Sequence, residues 1–388
     1  MRRLAVSLVV LVLGAPFQTP AEAHGCKPVR VQGAEYSETT CLRDLTTLGG
    51  RTNPADYAGL THAALPQPEP VRGTQVDGYF PDTSHTNANN GWNHDAQFVL
   101  RLPDKWNGGL VVAGSPGVRA QYANDRAISD AVLAKGYAYA ATDKGNTGAE
   151  FYRDGVNPGD AMVEWNRRMT ELTRAARAAT TQYYKRKPRE VVAAGISNGG
   201  YLVRWQLENH PELYTRGVDL EGTLWTAKGP NLFTFLPPAI RGYEQQNPAM
   251  ITAAGFDSRS SFLWDYHYAV YWKLTQRIYA AELDPTYTGT EGDYDYTTRS
   301  QAQNAVRRIA LTGNIQRPLT TIHGTYDSLL PITQDSDVYA AMVRKAGQGR
   351  LHRYQRVEAG NHVDGLVDAY PDRLTPLVPL LRRAISKS

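Results

Sequence analysis

The chain is poor in cysteine, in net charge and in long apolar runs, and each shortage excludes something. Its 388 residues include only two cysteines, Cys26 and Cys41. Without companion ligands nearby they do not make a metal site. In an oxidising compartment, two neighbouring cysteines with no other partner are expected to pair. The loop so closed would stabilise the fold by roughly 3 kcal/mol in the chain-entropy picture. No HExxH pattern and no dense run of ligand residues occurs, so neither a metal nor a cofactor is expected. A formal net charge of +4 supplies no basic stripe, which argues against nucleic acid and acidic membrane surfaces as partners. Fixed-period repeats and low-complexity tracts are also missing.

The one strongly apolar run lies at the start. Arg2 and Arg3 precede LAVSLVVLVLGA, and 21-AEA-23 follows. A positive start, a short apolar segment and small residues at the cleavage positions predict an export signal over residues 1–23. The run is too short to span a bilayer, so a secreted chain, extracellular or periplasmic, without a membrane anchor is expected.

Residues 24–95 are rich in Gly, Pro, Thr and Asn and hold TQVDGYF and little else that looks regular. They read as an N-terminal extension with edge strands. From about residue 96 strands alternate with helices. Strands are expected at QFVLRL (97–102), GLVVAG (109–114), YAYAATD (137–143), VVAAGI (191–196), GVDLEG (217–222), PLTTIHG (318–324) and LHRYQRVEA (351–359). Helices are expected over 127–136, 159–186, 201–210, 334–347 and 370–386. That alternation implies an α/β fold with a mostly parallel sheet covered on both faces. Residues 223–316 break it with a crowd of aromatics, among them Trp225, Phe233, Phe235, Tyr243, Phe256, Trp264, Tyr271, Trp272 and Tyr279. They are read as a helical cap inserted between core segments 96–222 and 317–388. Most of these aromatics should pack the cap itself and a few should line a pocket.

The stretch 191-VVAAGISNGGYLVRW-205 carries the chemistry. Gly195-Ile196-Ser197-Asn198-Gly199 fits G-x-S-x-G between a strand and a helix, a turn so tight that its neighbours must be small. It would expose the Ser197 hydroxyl above the sheet, with the Asn198 N–H aimed where an oxyanion forms. A serine needs a base, and the base an orienting carboxylate. On this arrangement the chain order is nucleophile, acid, histidine. Asp327 in 322-IHGTYDSLLPI-332 and His362 in 357-VEAGNHVDGL-366 each lie on a loop after a strand. His362 is therefore the expected base and Asp327 its partner. Asp364, beside His362, has no independent support. His323 reads as a buried structural histidine, and His267 as a cap residue that could face the pocket. The second oxyanion donor is expected from 113-AGSPGV-118, where Pro116 has no N–H, so Ser115 and Gly117 are the candidates.

TDKGNTG (142–148), the strand–turn–helix at 191–208, HGTYDSLLP (323–331) and AGNHVDGL (359–366) together resemble the secreted D-3-hydroxybutyrate oligomer hydrolases. With LPDKWNGGLVVAG (102–114) they also resemble the tannase and feruloyl esterase group. The resemblance covers 97–222 and 318–386, and leaves out residues 24–95 and the cap. It implies an α/β-hydrolase fold with Ser197, Asp327 and His362 as nucleophile, acid and base. The implied reaction is ester hydrolysis through an acyl-enzyme, on short hydroxyalkanoate oligomers or a related small ester. The cap aromatics would equally suit an aryl ester such as a feruloyl group. A serine peptidase of the same fold would need acidic residues to hold a substrate amine, for which 291-EGDYDY-296, Glu282 and Asp284 are the candidates. A non-catalytic binding protein would be expected to have lost a triad member, and none is lost. Lys144 in TDKGNTG reads as a solvated strand-end lysine or a contact for a substrate carboxylate.

Overall fold

The computed structural model describes residues 26–386; the export signal expected over residues 1–23 lies outside them. Its frame is a nine-stranded sheet. The strands are β1 (Tyr36–Leu42), β2 (Gly73–Tyr79), β3 (Gln97–Pro103), β4 (Gly109–Gly114), β5 (Ala138–Thr142), β6 (Glu190–Ile196), β7 (Arg216–Leu220), β8 (Leu319–Gly324) and β9 (His352–Val357). They lie in the order β1-β2-β3-β5-β4-β6-β7-β8-β9. The first three junctions are antiparallel and the rest parallel.

The strand pattern follows from burial on both faces. Val112, Ala140 and Ala193 join one apolar cluster, whereas Val111, Ala141 and Val192, one residue along, join the other. A parallel sheet covered on both sides needs such continuous apolar runs, because successive side chains point to opposite faces. On one face the helix α1 (Asp160–Tyr184) buries Met162, Trp165, Met169 and Leu172. The other is closed by the C-terminal helix α5 (Val378–Ser386), through Val378, Leu381 and Ile385. That helix is shorter than expected. Pro371 and Pro376 cannot donate within a helix, and the turn starts only where Asp364 accepts the Leu377 and Val378 N–H groups at 2.6 and 2.9 Å. Asp364 is thus a helix anchor.

Residues 24–95 contribute more order than their composition suggests. β1 pairs with β2 over seven residues, and β2 with β3 over seven, so the segment extends the sheet. Cys26 and Cys41 are joined in a disulfide with Cα atoms 5.7 Å apart. Between β7 and β8 the chain is helical, with α3 (Leu232–Glu244) and α4 (Lys273–Leu283) as its longer elements. Trp225, Phe233, Phe235, Phe256, Trp264 and Trp272 are buried there. No helix among the described residues is long and apolar enough to cross a membrane.

Candidate active site

The sheet's parallel half brings the expected residues to one edge. Ile196 is paired with Leu220, and Leu220 with Ile322, so β6, β7 and β8 end side by side, with β9 next to β8. Chain leaving the carboxyl ends of such strands is where open α/β sheets build their sites.

Ser197 follows β6 at φ 56° and ψ −121°, a conformation unfavourable for any side chain. The neighbours have to be small because backbone fills the space. A Cβ on Gly195 would lie 2.3 Å from Gly199, and one on Gly199 would lie 2.4 Å from the Gly114 carbonyl oxygen. Helix α2 (Asn198–Asn209) starts at the next residue, earlier than the pattern suggested. Its first N–H, that of Asn198, has no intrahelical acceptor, and the helix dipole favours negative charge at this end.

His362 Nε2 lies 3.0 Å from Ser197 Oγ, and its Nδ1 lies 2.8 Å from Asp327 Oδ2. Facing a carboxylate, Nδ1 carries the hydrogen, which leaves Nε2 to accept the serine proton. Asp327 Oδ1 accepts the Leu329 and Leu330 N–H groups at 2.8 and 2.7 Å. Burial alone would raise its pKa, but the charge of His362 and hydrogen bonds from His323 and His362 outweigh it and hold the carboxyl below its usual range. His323 is fully buried, with Nδ1 2.7 Å from Ser336 Oγ and Nε2 2.9 Å from the Leu330 carbonyl oxygen. Its Nε2 is also 3.1 Å from Asp327 Oδ2, so this histidine braces Asp327.

The two oxyanion candidates separate. The Ser115 N–H donates to the Thr142 carbonyl at 3.2 Å, which corrects its assignment as a donor: continuing the backbone pairing at the end of β4 takes up its hydrogen. Gly117 has φ 53°, lines the cavity above Ser197 and has no backbone acceptor among the described residues. Asn198 ties the parts together, since its Nδ2 donates to the Gly117 carbonyl at 3.0 Å and to the Tyr279 hydroxyl of α4.

Lys144 is neither solvated nor a substrate contact. It is fully buried, 5.1 Å from the Trp165 ring centre, and its ammonium donates to Ser115 Oγ, which in turn donates to the Arg119 carbonyl at 2.6 Å. It therefore braces the loop that carries Gly117. Burial pushes its pKa down to about 7, against the pull of Asp143. Lys144→Met is expected to lower kcat by up to about 10²-fold through misplacement of that loop, while KM moves less. Below its folded pKa the buried ammonium is charged at a cost. With the folded pKa under the unfolded one, stability from this group rises with pH between the two. The variant should therefore gain stability at acidic pH as it loses turnover, which steady-state kinetics and urea midpoints at two pH values check.

The cavity over Ser197 has a volume of about 200 Å³ and is largely apolar, with Leu60, Val118, Leu232, Ile278 and Leu330 among its walls. Tyr271 and Tyr279 are the cap aromatics that line it. Larger hollows of about 490 and 650 Å³ occur elsewhere and include none of Ser197, Asp327 or His362. Three groups in or behind the site were not singled out from the sequence. Arg119 lines the cavity, and its Nη1 donates to the Asp56 and Ala58 carbonyls at 2.7 and 2.9 Å, residues that line a neighbouring hollow. It pairs with no carboxylate among the described residues, and burial lowers its pKa. Glu221, one residue past β7, is fully buried beside His362. The third, Tyr279, holds Asn198 from the cap. His267, weighed only as a possible pocket residue, lines the cavity with neither ring nitrogen hydrogen-bonded. Burial pushes its pKa down to about 3, so it is neutral. A Glu ending a strand next to the serine's strand was a usable signal for Glu221, and the aromatic crowding of residues 223–316 was one for Tyr279; Arg119 had none.

Comparison with known proteins agrees with this geometry. Residues 82–215 match the family model of tannase and feruloyl esterase, a span that includes Ser197 and the oxyanion loop. No curated protein matches the chain. Feruloyl esterase B from Aspergillus oryzae superposes with a TM-score of 0.56 at 12% identity, over 86% of this chain and 81% of its own. An esterase from the same organism gives 0.57 at 11% identity over 86% and 81%. At such identities the likeness is one of fold. The resemblance to the tannase and feruloyl esterase group thus holds over residues 82–215.

Proposed function

We infer, for a chain with the α/β-hydrolase fold whose residues 82–215 match the tannase and feruloyl esterase family, that it is a secreted serine hydrolase of carboxylic esters. The observation that carries this is the hydrogen-bonded run from Ser197 through His362 to Asp327, opening onto an apolar cavity. His362 Nε2 takes the Ser197 proton as Oγ attacks the ester carbonyl. The Asn198 and Gly117 N–H groups receive the developing oxyanion, and His362 then protonates the departing alcohol. Water enters by the same base to release the acid. Asp327 keeps the imidazole in the needed tautomer and stabilises its charged form.

The finer proposal is a short hydroxyalkanoate ester bearing a free carboxylate, such as a 3-hydroxybutyrate oligomer. A cavity of about 200 Å³ suits a small acyl group, and Arg119, without an acidic partner, is a ready counter-ion at its wall. Tyr271 and Tyr279 support the alternative of an aryl ester of the feruloyl type. The peptidase reading loses its support, because no Asp or Glu among the described residues lines this cavity. Glu291 lines a different hollow, and Asp284 pairs with Arg299 at 2.6 Å.

The test is hydrolysis of a 3-hydroxybutyrate dimer, the methyl ester of that dimer, methyl ferulate and an aminoacyl p-nitroanilide by the purified protein. Turnover of the dimer above the others is expected. Arg119→Met should lower kcat/KM for the dimer at least about tenfold more than for its methyl ester, the size of a lost charge-assisted hydrogen bond. Preference for methyl ferulate, unaffected by Arg119, would move the assignment to the aryl esterase reading.

A further inference from the structure

We propose that Glu221 is a second positioning acid for His362, seated at the end of β7 beside Asp327 and able to orient the imidazole in its place. The proposal rests on the serine-hydrolase reading above.

The argument starts from the strand ends. β6, β7 and β8 each deliver a polar residue just past their carboxyl end: Ser197, Glu221 and, after a short turn, Asp327. Glu221 has φ 51°, a left-handed conformation that Gly or Asn adopts more cheaply. Its N–H donates to the Ile322 carbonyl at 2.9 Å, so sheet pairing holds the strained backbone and aims the side chain inward. The carboxyl is fully buried. Oε1 accepts the Gly324 N–H at 2.9 Å. Oε2 has no hydrogen-bond partner among the described residues and lies 3.7 Å from His362 Nδ1. Nδ1 therefore faces two carboxyl groups, one at hydrogen-bond distance and one just beyond it.

Two buried carboxylates this close do not both ionise. The facing groups decide which one keeps a proton. Asp327 has four N–H donors, from Leu329, Leu330, His323 and His362. Glu221 has one. Burial first, then the charges of Asp327, Asp364 and Asp335, push its pKa well up. Arg204, whose Nε would lie 3.0 Å from a Cβ on Gly222, is committed to Asp219 and Asp335. Glu221 is thus the protonated member of the pair. The ligand atoms of Glu221, His323 and Asp327 also come within 4.8 Å of one another. His323 Nε2 faces two acceptors, the Leu330 carbonyl and Asp327, so it carries hydrogen and is not free to ligate a cation.

Removing the charge of Asp327 removes the largest of the charges, though not the burial, that keep Glu221 protonated. In Asp327→Asn, Glu221 can then ionise and hold the Nδ1–H tautomer, a small side-chain adjustment closing the 3.7 Å gap. Loss of that tautomer costs about 10⁴-fold in serine proteases with a single acid. A much smaller loss is expected here.

The experiment compares the full-length protein with Ser197→Ala, Asp327→Asn, Glu221→Gln and the Asp327→Asn/Glu221→Gln double variant on a p-nitrophenyl ester across pH. Gln keeps the size of Glu and an acceptor for Gly324, and circular dichroism with thermal melting checks folding. Asp327→Asn is expected to keep at least about tenfold more kcat than the double variant. Deprotonation of His362 gives every variant a rise of kcat with pH; Asp327→Asn should show a second rise as Glu221 ionises, absent from the double variant. Equal kcat and equal pH profiles for the two would overturn the proposal. So would a double-variant loss equal to the product of the single losses, which is what a merely structural Glu221 produces. If the double variant does not fold, the pH profile of Asp327→Asn decides alone: a single rise, that of His362, overturns the proposal and a second rise supports it. Wild type as inactive as Ser197→Ala on every ester would sink the hydrolase reading itself, and this inference with it.

Discussion

Ser197→Ala is expected to remove ester turnover, lowering kcat by about 10⁵–10⁶-fold, as loss of the nucleophile does in serine hydrolases. The expectation follows from how little else in the site could attack an ester. His362 Nε2 points at Ser197 Oγ, and the buried hydroxyls near the site are already committed: Ser115 Oγ to Lys144 and Arg119, Thr223 Oγ1 to Asn198. The donors from Asn198 and Gly117 would remain, so a residual rate of about 10³–10⁴ over water is expected from transition-state charge stabilisation and binding. Because Ala fits the tight turn as well as Ser, the variant should fold and bind substrate with little change. Burst-phase release of p-nitrophenol from stoichiometric enzyme reads the result directly. A stoichiometric burst in wild type that vanishes in the variant is the expected outcome. Turnover that survived at wild-type level would require a different nucleophile and would remove Ser197 from the mechanism.

Arg204→Met is expected to destabilise the fold by about 3–5 kcal/mol, the cost of stripping the partner from a buried ion pair. Arg204 sits on α2, one turn beyond the nucleophile elbow, and is 0% exposed. Its guanidinium lies 2.9 Å from Asp335 and 3.2 Å from Asp219, donates to Ser336 Oγ at 2.7 Å, and stacks 4.5 Å from the Tyr339 ring centre. Met fills the volume but leaves two carboxylates with no cation. Even with Arg204 present, burial raises the pKa of Asp335, and without it that carboxyl should move up further. A carboxyl whose folded pKa exceeds its unfolded value stabilises most at low pH and less as pH rises through the folded value. The deficit should therefore be largest near neutral pH and shrink on acidification, which urea midpoints across pH test. A deficit that did not vary with pH would mean that packing, not charge, had been lost. The same variant should also disturb catalysis, because Ser336 links Arg204 to His323 and His323 braces Asp327.

Much of the site was readable in one dimension because its constraints are local. The turn around Ser197 demands small neighbours at fixed offsets, so G-x-S-x-G appears as a string. Period-two burial on both faces of a parallel sheet writes each strand as an apolar run, and Asp327 and His362 stand just after two such runs. The helix at the end of the chain was misjudged because its start depends on Asp364 receiving two N–H groups from 13 and 14 residues away, a contact no local pattern announces. Lys144 was misjudged for the same reason. A lysine past a strand reads as solvated until Trp165 and Ser115, 21 and 29 residues off in sequence, close over it.

What the amino-acid order alone determined was thus the strand and helix series, the nucleophile turn and the order of serine, acid and histidine, since backbone sterics and burial periodicity act over a few residues. Tertiary structure decided the rest. Laying β7 between β6 and β8 set Glu221 against His362. The cap delivered His267, Tyr271 and Tyr279 to the cavity, and the loop after β4 turned Arg119 towards it without an acid to pair with. These placements come from strand order and long-range packing, in which residues 61 to 103 positions apart share one hydrogen bond, and no local pattern encodes them.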